Sequence, residues 1–255
     1  MKNKHGLIIV SLAAIVCLGG CSRKIQKASN EHVDYFSSKK LSLKNADKHD
    51  SDVDNLFDYL TNYNSTGIAD LTGKEKYGDK FFLVLVQKNC SNCEERENAF
   101  KILEKSWGVG DFEELKGETF KLHTIYVDTK NDDGDYLFES VYDRPDVSNM
   151  IEQAISYMAG EYAEHPYKDN GDDSSSYVSN LNNLIDRENI STPTTFLIDL
   201  TDNAPDWTSS FGVREVLFSF NGTNGTDDIA KARTLRNAWT NVDSISNPFS
   251  TSYRK

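Results

Sequence analysis

The chain has few cysteines, few histidines, no excess of positive charge and no long apolar run beyond its first twenty residues. There are four cysteines in 255 residues, and two of them, Cys17 and Cys21, lie in an N-terminal apolar stretch. The remainder holds one pair, Cys90 and Cys93, which excludes a disulfide-stapled scaffold and a four-cysteine zinc site. The five histidines show no HxxxH spacing, and no metal is expected. Lys and Arg total 28 against 40 Asp and Glu, a formal charge of -12. That balance argues against nucleic acid and against a broad electrostatic grip on anionic lipid. After Leu18 no segment approaches the roughly 20 apolar residues of a membrane span. There are no internal repeats. The Asp-rich tract 128–135 lacks the ordered ligand positions and terminal Glu of a calcium loop and reads as a solvated turn.

What is present begins with an export segment. Lys2 and Lys4 form a basic region, and Leu7 to Leu18 form an apolar core too short for a comfortable membrane span. Leu18-Gly19-Gly20-Cys21 resembles the lipobox of bacterial lipoproteins. The resemblance implies that residues 1–21 are a lipoprotein signal peptide and lipobox, that Cys21 is acylated, and that the protein is held by lipid on the extracytoplasmic face of the cell membrane. More than one acyl chain gives durable anchoring where a single chain is marginal. Loss of Lys2 and Lys4 with the signal takes the formal charge from -12 to -14.

Residues 22–49 are polar and aperiodic and read as a flexible tether, with a basic cluster from Arg23 to Lys44. Ser51 can cap a helix that carries Val53, Leu56, Phe57 and Leu60 on one face. Tyr63 to Lys80, with three glycines, reads as loop. Phe81 to Val86 is apolar on both sides, as a strand covered on both faces must be. A helix follows with Ala99, Phe100, Leu103 and Trp107 inward, then a strand from Phe120 to Val127. Residues 129–190 read as a mostly helical insertion: Pro145 starts one helix with Val147 and Ile151 inward, Asp169 to Ser176 is a polar loop, and Tyr177 to Ile185 is a second helix. Regular structure resumes at Ser191 to Asp199, and Val213 to Phe220 is another strand. Thr226 caps a last helix with Ile229, Ala232, Leu235 and Trp239 inward, and residues 244–255 form a tail.

Cys90-Ser91-Asn92-Cys93 sits where the apolar strand ends and the helix begins. Spacing of i and i+3 lets the two sulfurs meet, and the helix N-terminus places N–H groups and partial positive charge beside the first, favouring its thiolate. The thiolate is the attacking species in disulfide exchange.

The order helix, strand, Cys90-x-x-Cys93, helix, strand, then Thr192-Pro193 opening a strand, a further strand and a final helix, resembles the thioredoxin superfamily over residues 50–243. The resemblance implies an α/β thioredoxin-like fold, a central mixed sheet flanked by helices, with the helical insertion near 129–190. It implies that Cys90 and Cys93 are the catalytic, redox-active disulfide. It also implies that the Thr192–Pro193 bond is cis and that Thr192 and Pro193 bind substrate by backbone pairing beside the cysteines. The separation of 103 residues from Cys90 to Pro193 exceeds that of a minimal thioredoxin, consistent with an inserted cap. The chain departs from the family at Val84, where thioredoxins carry a buried acid, and at Asn89, where an aromatic residue is common. Glu94 and Glu95 oppose a stabilised thiolate while Lys88 and Arg96 favour one, so oxidant, reductant and isomerase all stay open.

Two function classes follow. One is a thiol–disulfide oxidoreductase that exchanges disulfides with exported cysteine-containing proteins and is served by a membrane or extracytoplasmic thiol redox partner, with no cofactor. The other is an accessory thioredoxin-like lipoprotein that holds a partner in peptide or protein export, the helical insertion being its contact surface. Reversible redox cycling of the pair separates them.

Overall fold

Six consecutive apolar residues, Phe81 to Val86, form the centre of the fold. The computed structural model describes residues 35–43, 51–145, 147–149, 151–152, 190, 192–201, 211–218 and 228–240. The signal segment with Cys21, most of the 22–49 stretch, the greater part of the 129–190 insertion, the Thr226 cap and the 244–255 tail lie outside them.

The sheet has four strands, β1 (Lys80–Val86), β2 (Leu122–Tyr126), β3 (Thr194–Asp199) and β4 (Val213–Phe218), in the order β2-β1-β3-β4. β1 runs parallel to β2 and antiparallel to β3, which is antiparallel to β4. The architecture is therefore a mixed sheet with helices on both faces. Alternation along β1 divides the core. Phe81, Leu83 and Leu85 face one layer, shared with Val53, Leu56, Phe57 and Leu60 of helix α1 (Asp52–Thr66). Phe82, Val84 and Val86 face the other, shared with Ala99, Phe100 and Leu103 of α3 (Ser91–Lys105) and Leu235 and Trp239 of α5 (Asp228–Thr240). Two apolar faces require this double cover.

Ser51 caps α1, its side chain accepting the Asp54 N–H at 3.0 Å, and Gly67 closes the helix in the left-handed region. The stretch from Tyr63 to Lys80 differs from the loop expected of it. α1 continues to Thr66, and α2 (Leu71–Tyr77) follows behind an Asp70 cap that accepts the Gly73 N–H at 2.9 Å. Gly73 marks a close approach, not a turn: a Cβ there would stand 2.1 Å from Cδ2 of the buried Tyr59 ring.

Within the stretch read as tether, residues 39–41 pair with the outer edge of β2, Leu41 N–H to Thr124 O at 2.9 Å and Thr124 N–H to Lys39 O at 3.0 Å. Phe36 is fully buried, edge-on to Phe100 of α3, and Leu41 and Leu43 are buried in the opposite layer. These apolar residues give the segment core to occupy, and it covers a sheet edge. After β2 a turn at 131–134 leads into α4 (Leu137–Tyr142), which buries Phe138, Val141 and Tyr142. Residues 147–149 and 151–152 are helical, with Val147 and Ile151 buried. In α5, Ile229 was expected inward but is 48% exposed. It lies in the first turn, ahead of the packed run Ala232, Leu235, Ala238 and Trp239. No helix among the described residues is long and apolar enough to cross a membrane.

Candidate functional site

β1 delivers the chain to the site. After Val86, the loop Gln87-Lys88-Asn89 turns into α3. Asn89 takes a positive φ of 57°, which asparagine tolerates better than most residues. The loop is tied to the end of β2, since Lys88 N–H donates to Asp128 Oδ2 at 3.0 Å.

Cys90 is the N-cap of α3, and its Sγ accepts the Cys93 N–H at 3.1 Å. Sulfur thus occupies the place of a capping oxygen, where the first-turn amides and the helix dipole favour negative charge. The two cysteines form a disulfide with Cα atoms 5.2 Å apart. Their surroundings are unequal: Cys90 is half-buried, whereas Cys93 is fully buried in the layer with Val84 and Phe100.

The β1–β3 register brings Thr192 to this loop. Leu85 pairs with Thr194, so the chain two residues before Thr194 lies opposite Gln87. Thr192 Oγ1 stands 3.3 Å from Gln87 Oε1 and 3.4 Å from Cys90 Sγ. Its one hydrogen can go to either. Thr192 O lies 3.5 Å from the same sulfur. That contact is a hydrogen bond only when Cys90 is a thiol, because a disulfide sulfur has no proton to give. The Thr192–Pro193 bond is cis. Four of the residues singled out from sequence, Cys90, Cys93, Thr192 and Pro193, are therefore brought together across the sheet end. Cys21 lies outside the described residues.

The charges flanking the pair are arranged as follows. Arg96 is buried, 3.2 Å from Glu95, and burial pulls its guanidinium pKa down against the opposing pull of Glu95. Lys231 of α5 donates to Glu95 O at 3.2 Å and clamps the first turns of α3. Val84 is fully buried and apolar. A buried acid nevertheless lies close in sequence, which the sequence reading did not single out: Glu97 is 2% exposed, on the same helix face as Cys93 four residues on, and ion-paired with Lys101. Burial raises the phenol pKa of Tyr35 and Tyr126, with Glu104 the larger neighbouring charge at Tyr35 and Glu97 a smaller contributor at both. The available signal was the i+4 spacing from Cys93.

Comparison with known proteins finds no match: no family model, no curated protein and no solved structure matches this chain. The assignment therefore rests on the geometry.

Proposed function

We propose that this protein is a thiol–disulfide oxidoreductase of thioredoxin-like fold, anchored by an acylated Cys21 on the extracytoplasmic face and acting on exported proteins. The observation that carries the reading is the unequal pair: a half-exposed Cys90 capped by a helix amide and touched by the Thr192 hydroxyl, bonded to a buried Cys93. The mixed sheet and the position of Thr192-Pro193 beside the cysteines support the fold. The match at Leu18-Gly19-Gly20-Cys21 supports the anchor.

In the reducing direction the Cys90 thiolate attacks one sulfur of a substrate disulfide. A Cys90–substrate disulfide forms, the substrate S–S bond breaks, and one substrate thiolate leaves and takes a proton from solvent. Cys93, once deprotonated, then attacks Cys90 Sγ. The Cys90–Cys93 bond forms, the mixed disulfide breaks, and the second substrate thiol leaves. Two electrons and two protons pass from the enzyme dithiol to the substrate. The oxidising direction is the reverse, and an external dithiol or disulfide partner restores the starting state.

Two measurements test the reading. Equilibration of the pair in graded glutathione buffers should show a single reversible two-electron couple. Cys93→Ser should accumulate mixed disulfides with exported proteins while Cys90→Ser accumulates none. A pair that cannot be reduced and re-oxidised, or trapping through Cys93 in preference to Cys90, would favour the accessory-module class.

A further inference from the structure

A cavity of about 360 Å³ lies just past the ends of β1 and β2, against the loop that leads to the redox pair. Three of its lining residues carry amide or carboxylate acceptors: Gln87, Asp128 and Glu139. Three more give it aromatic walls: Tyr136, Phe138 and Tyr142. Phe138 and Tyr142 are buried, while Tyr136 and Glu139 are exposed. The cavity is linked to the sulfur by two contacts, from Gln87 to Thr192 at 3.3 Å and from Thr192 to Cys90 Sγ at 3.4 Å.

Of the lining residues, Asp128 is incompletely hydrogen-bonded. Asp128 Oδ2 takes the Lys88 N–H, but Oδ1, which is buried, has no hydrogen-bond partner among the described residues. A buried acceptor without a donor is unfavourable, and an acceptor of this charge calls for a cationic one. The aromatic walls suit the same chemistry, since ring faces attract ammonium and guanidinium groups. Tyr136 already does so, with Lys130 Nζ 4.2 Å from its centroid. Lys88 and Lys40 lie near Asp128 on the loop side, and the Lys40 ammonium is engaged over the Tyr126 ring at 5.2 Å.

We propose that this cavity is a subsite for a basic side chain, arginine or lysine, flanking the reacting cysteine of a substrate polypeptide. The inference rests on the thiol–disulfide reading above and names the class of substrate it prefers. A substrate cysteine bonded to Cys90 has its neighbours about 3.4 Å further along an extended chain, and a long basic side chain bridges from there to Asp128. Its apolar stem lies against Phe138 and Tyr142 while its charged end meets Asp128 and Glu139. The acidic balance of the processed chain, -14 once Lys2 and Lys4 leave the full chain's -12, steers such substrates and repels acidic ones.

The test uses the reduced protein and symmetrical disulfides of three peptides, Gly-Ser-Arg-Cys-Ser-Gly and its Ala and Glu counterparts at the third position. The readout is the rate of Cys90–Cys93 oxidation. For the wild type at low salt, the Arg peptide should react about tenfold faster than the Ala peptide, as one charged contact with ring support implies. The Glu peptide should be slower than either, and the spread should shrink in 0.5 M salt, a condition in which charges are screened beyond roughly 4 Å. Asp128→Asn and Glu139→Gln should each lower the Arg-to-Ala ratio within the same variant, so that any effect on sulfur reactivity common to both peptides cancels. Glu139→Lys, at an exposed position that folding tolerates, should invert the Arg-to-Glu order. Equal rates for the three peptides in the wild type, or a ratio unchanged by Asp128→Asn and by Glu139→Lys, would overturn the subsite. Neutral 2,2′-dithiodipyridine separates the two levels of the argument: failure to oxidise the pair with it counts against the redox reading itself, while ready oxidation without charge preference counts against the subsite alone.

Discussion

Removal of the Thr192 hydroxyl should raise the pKa of Cys90. The hydroxyl lies 3.4 Å from Cys90 Sγ and 3.3 Å from Gln87 Oε1, and its one proton serves whichever acceptor is stronger. In the dithiol state with Cys90 ionised, the sulfur carries the charge and takes the bond. A hydrogen bond to a charged group contributes about 1.5–3 kcal/mol. The distance and the competition from Gln87 bring this one just below that range, to about 1.4 kcal/mol, or about one pKa unit. Thr192→Val keeps the branched shape and removes only the donor. The Cys93 N–H, 3.1 Å from the sulfur, remains in both proteins, so the variant isolates the hydroxyl. Ultraviolet thiolate absorbance, followed against pH in a Cys93→Ser background so that one thiol titrates, should show the midpoint rising by about one unit. The same loss destabilises the reduced form of the intact pair and should lower its reduction potential by up to about 30 mV. A midpoint that stays put or falls would mean that the hydroxyl serves Gln87 in every state and that Thr192 does not touch the redox chemistry.

Other outcomes follow from separate parts of the molecule. Gly73→Ala should lower stability by about 1–3 kcal/mol in urea unfolding, because its Cβ would meet the Tyr59 ring at 2.1 Å; an unchanged midpoint would show that Tyr59 moves freely. His123, within 2.8 Å of Tyr77 O and edge-on to Tyr77 and Phe81, is held by burial below its ordinary value of 6.5. The native state thus keeps it neutral while the unfolded chain protonates below that value. Its contribution is complete above pH 6.5 and is lost as pH falls towards the native pKa, so His123→Gln should flatten the decline in unfolding midpoint between pH 7.5 and pH 5.5 without altering the trend above it. Cys21→Ser should release the protein from membranes or block its processing, as fractionation and mobility would report; a variant that stays membrane-bound with normal mobility would refute the anchor.

Much of the fold is legible because its signals are local. Ser51 precedes a one-sided apolar pattern, and that pattern became the buried face of α1. The unbroken apolar run of β1 implied cover on both faces, and the two core layers divide along it residue by residue. Other features depend on contacts far away in the chain. Gly73 resembles a loop glycine until Tyr59 is seen against it. Phe36 and Leu41 sit among lysines and serines and read as tether, yet their apolar surface finds a sheet edge and the side of α3. Glu97 reads as a surface charge on a helix and is buried, with Phe36 closing over the same helix at Phe100. Likewise Gln87 and Asp128 are ordinary strand-end residues until the β1–β3 register sets Thr192 beside one and the loop amide of Lys88 beside the other.

The unequal burial of the sulfurs fixes the order of events within the proposed reaction. An incoming disulfide must approach its attacker in line, with room for a leaving sulfur behind it. Cys93 is fully buried and offers no such approach, whereas Cys90 is partly exposed. On the proposed reading, intermolecular attack therefore belongs to Cys90. The second step has the opposite need, for a nucleophile already in place and shielded from competing disulfides. Cys93 meets it, one helical turn away with its Cα 5.2 Å from that of Cys90, and such positioning turns a bimolecular step into an intramolecular one. Exchanging the roles would require burying the entry sulfur and exposing the resolving one, which the packing of Cys93 against Val84 and Phe100 prevents. Val84, in the same core layer as Cys93, is apolar and fully buried, so on the proposed reading deprotonation of Cys93 falls to solvent or to groups on its own helix. On this account resolution, not attack, is the slower step, and mixed disulfides should accumulate even in the wild type when substrate is in excess.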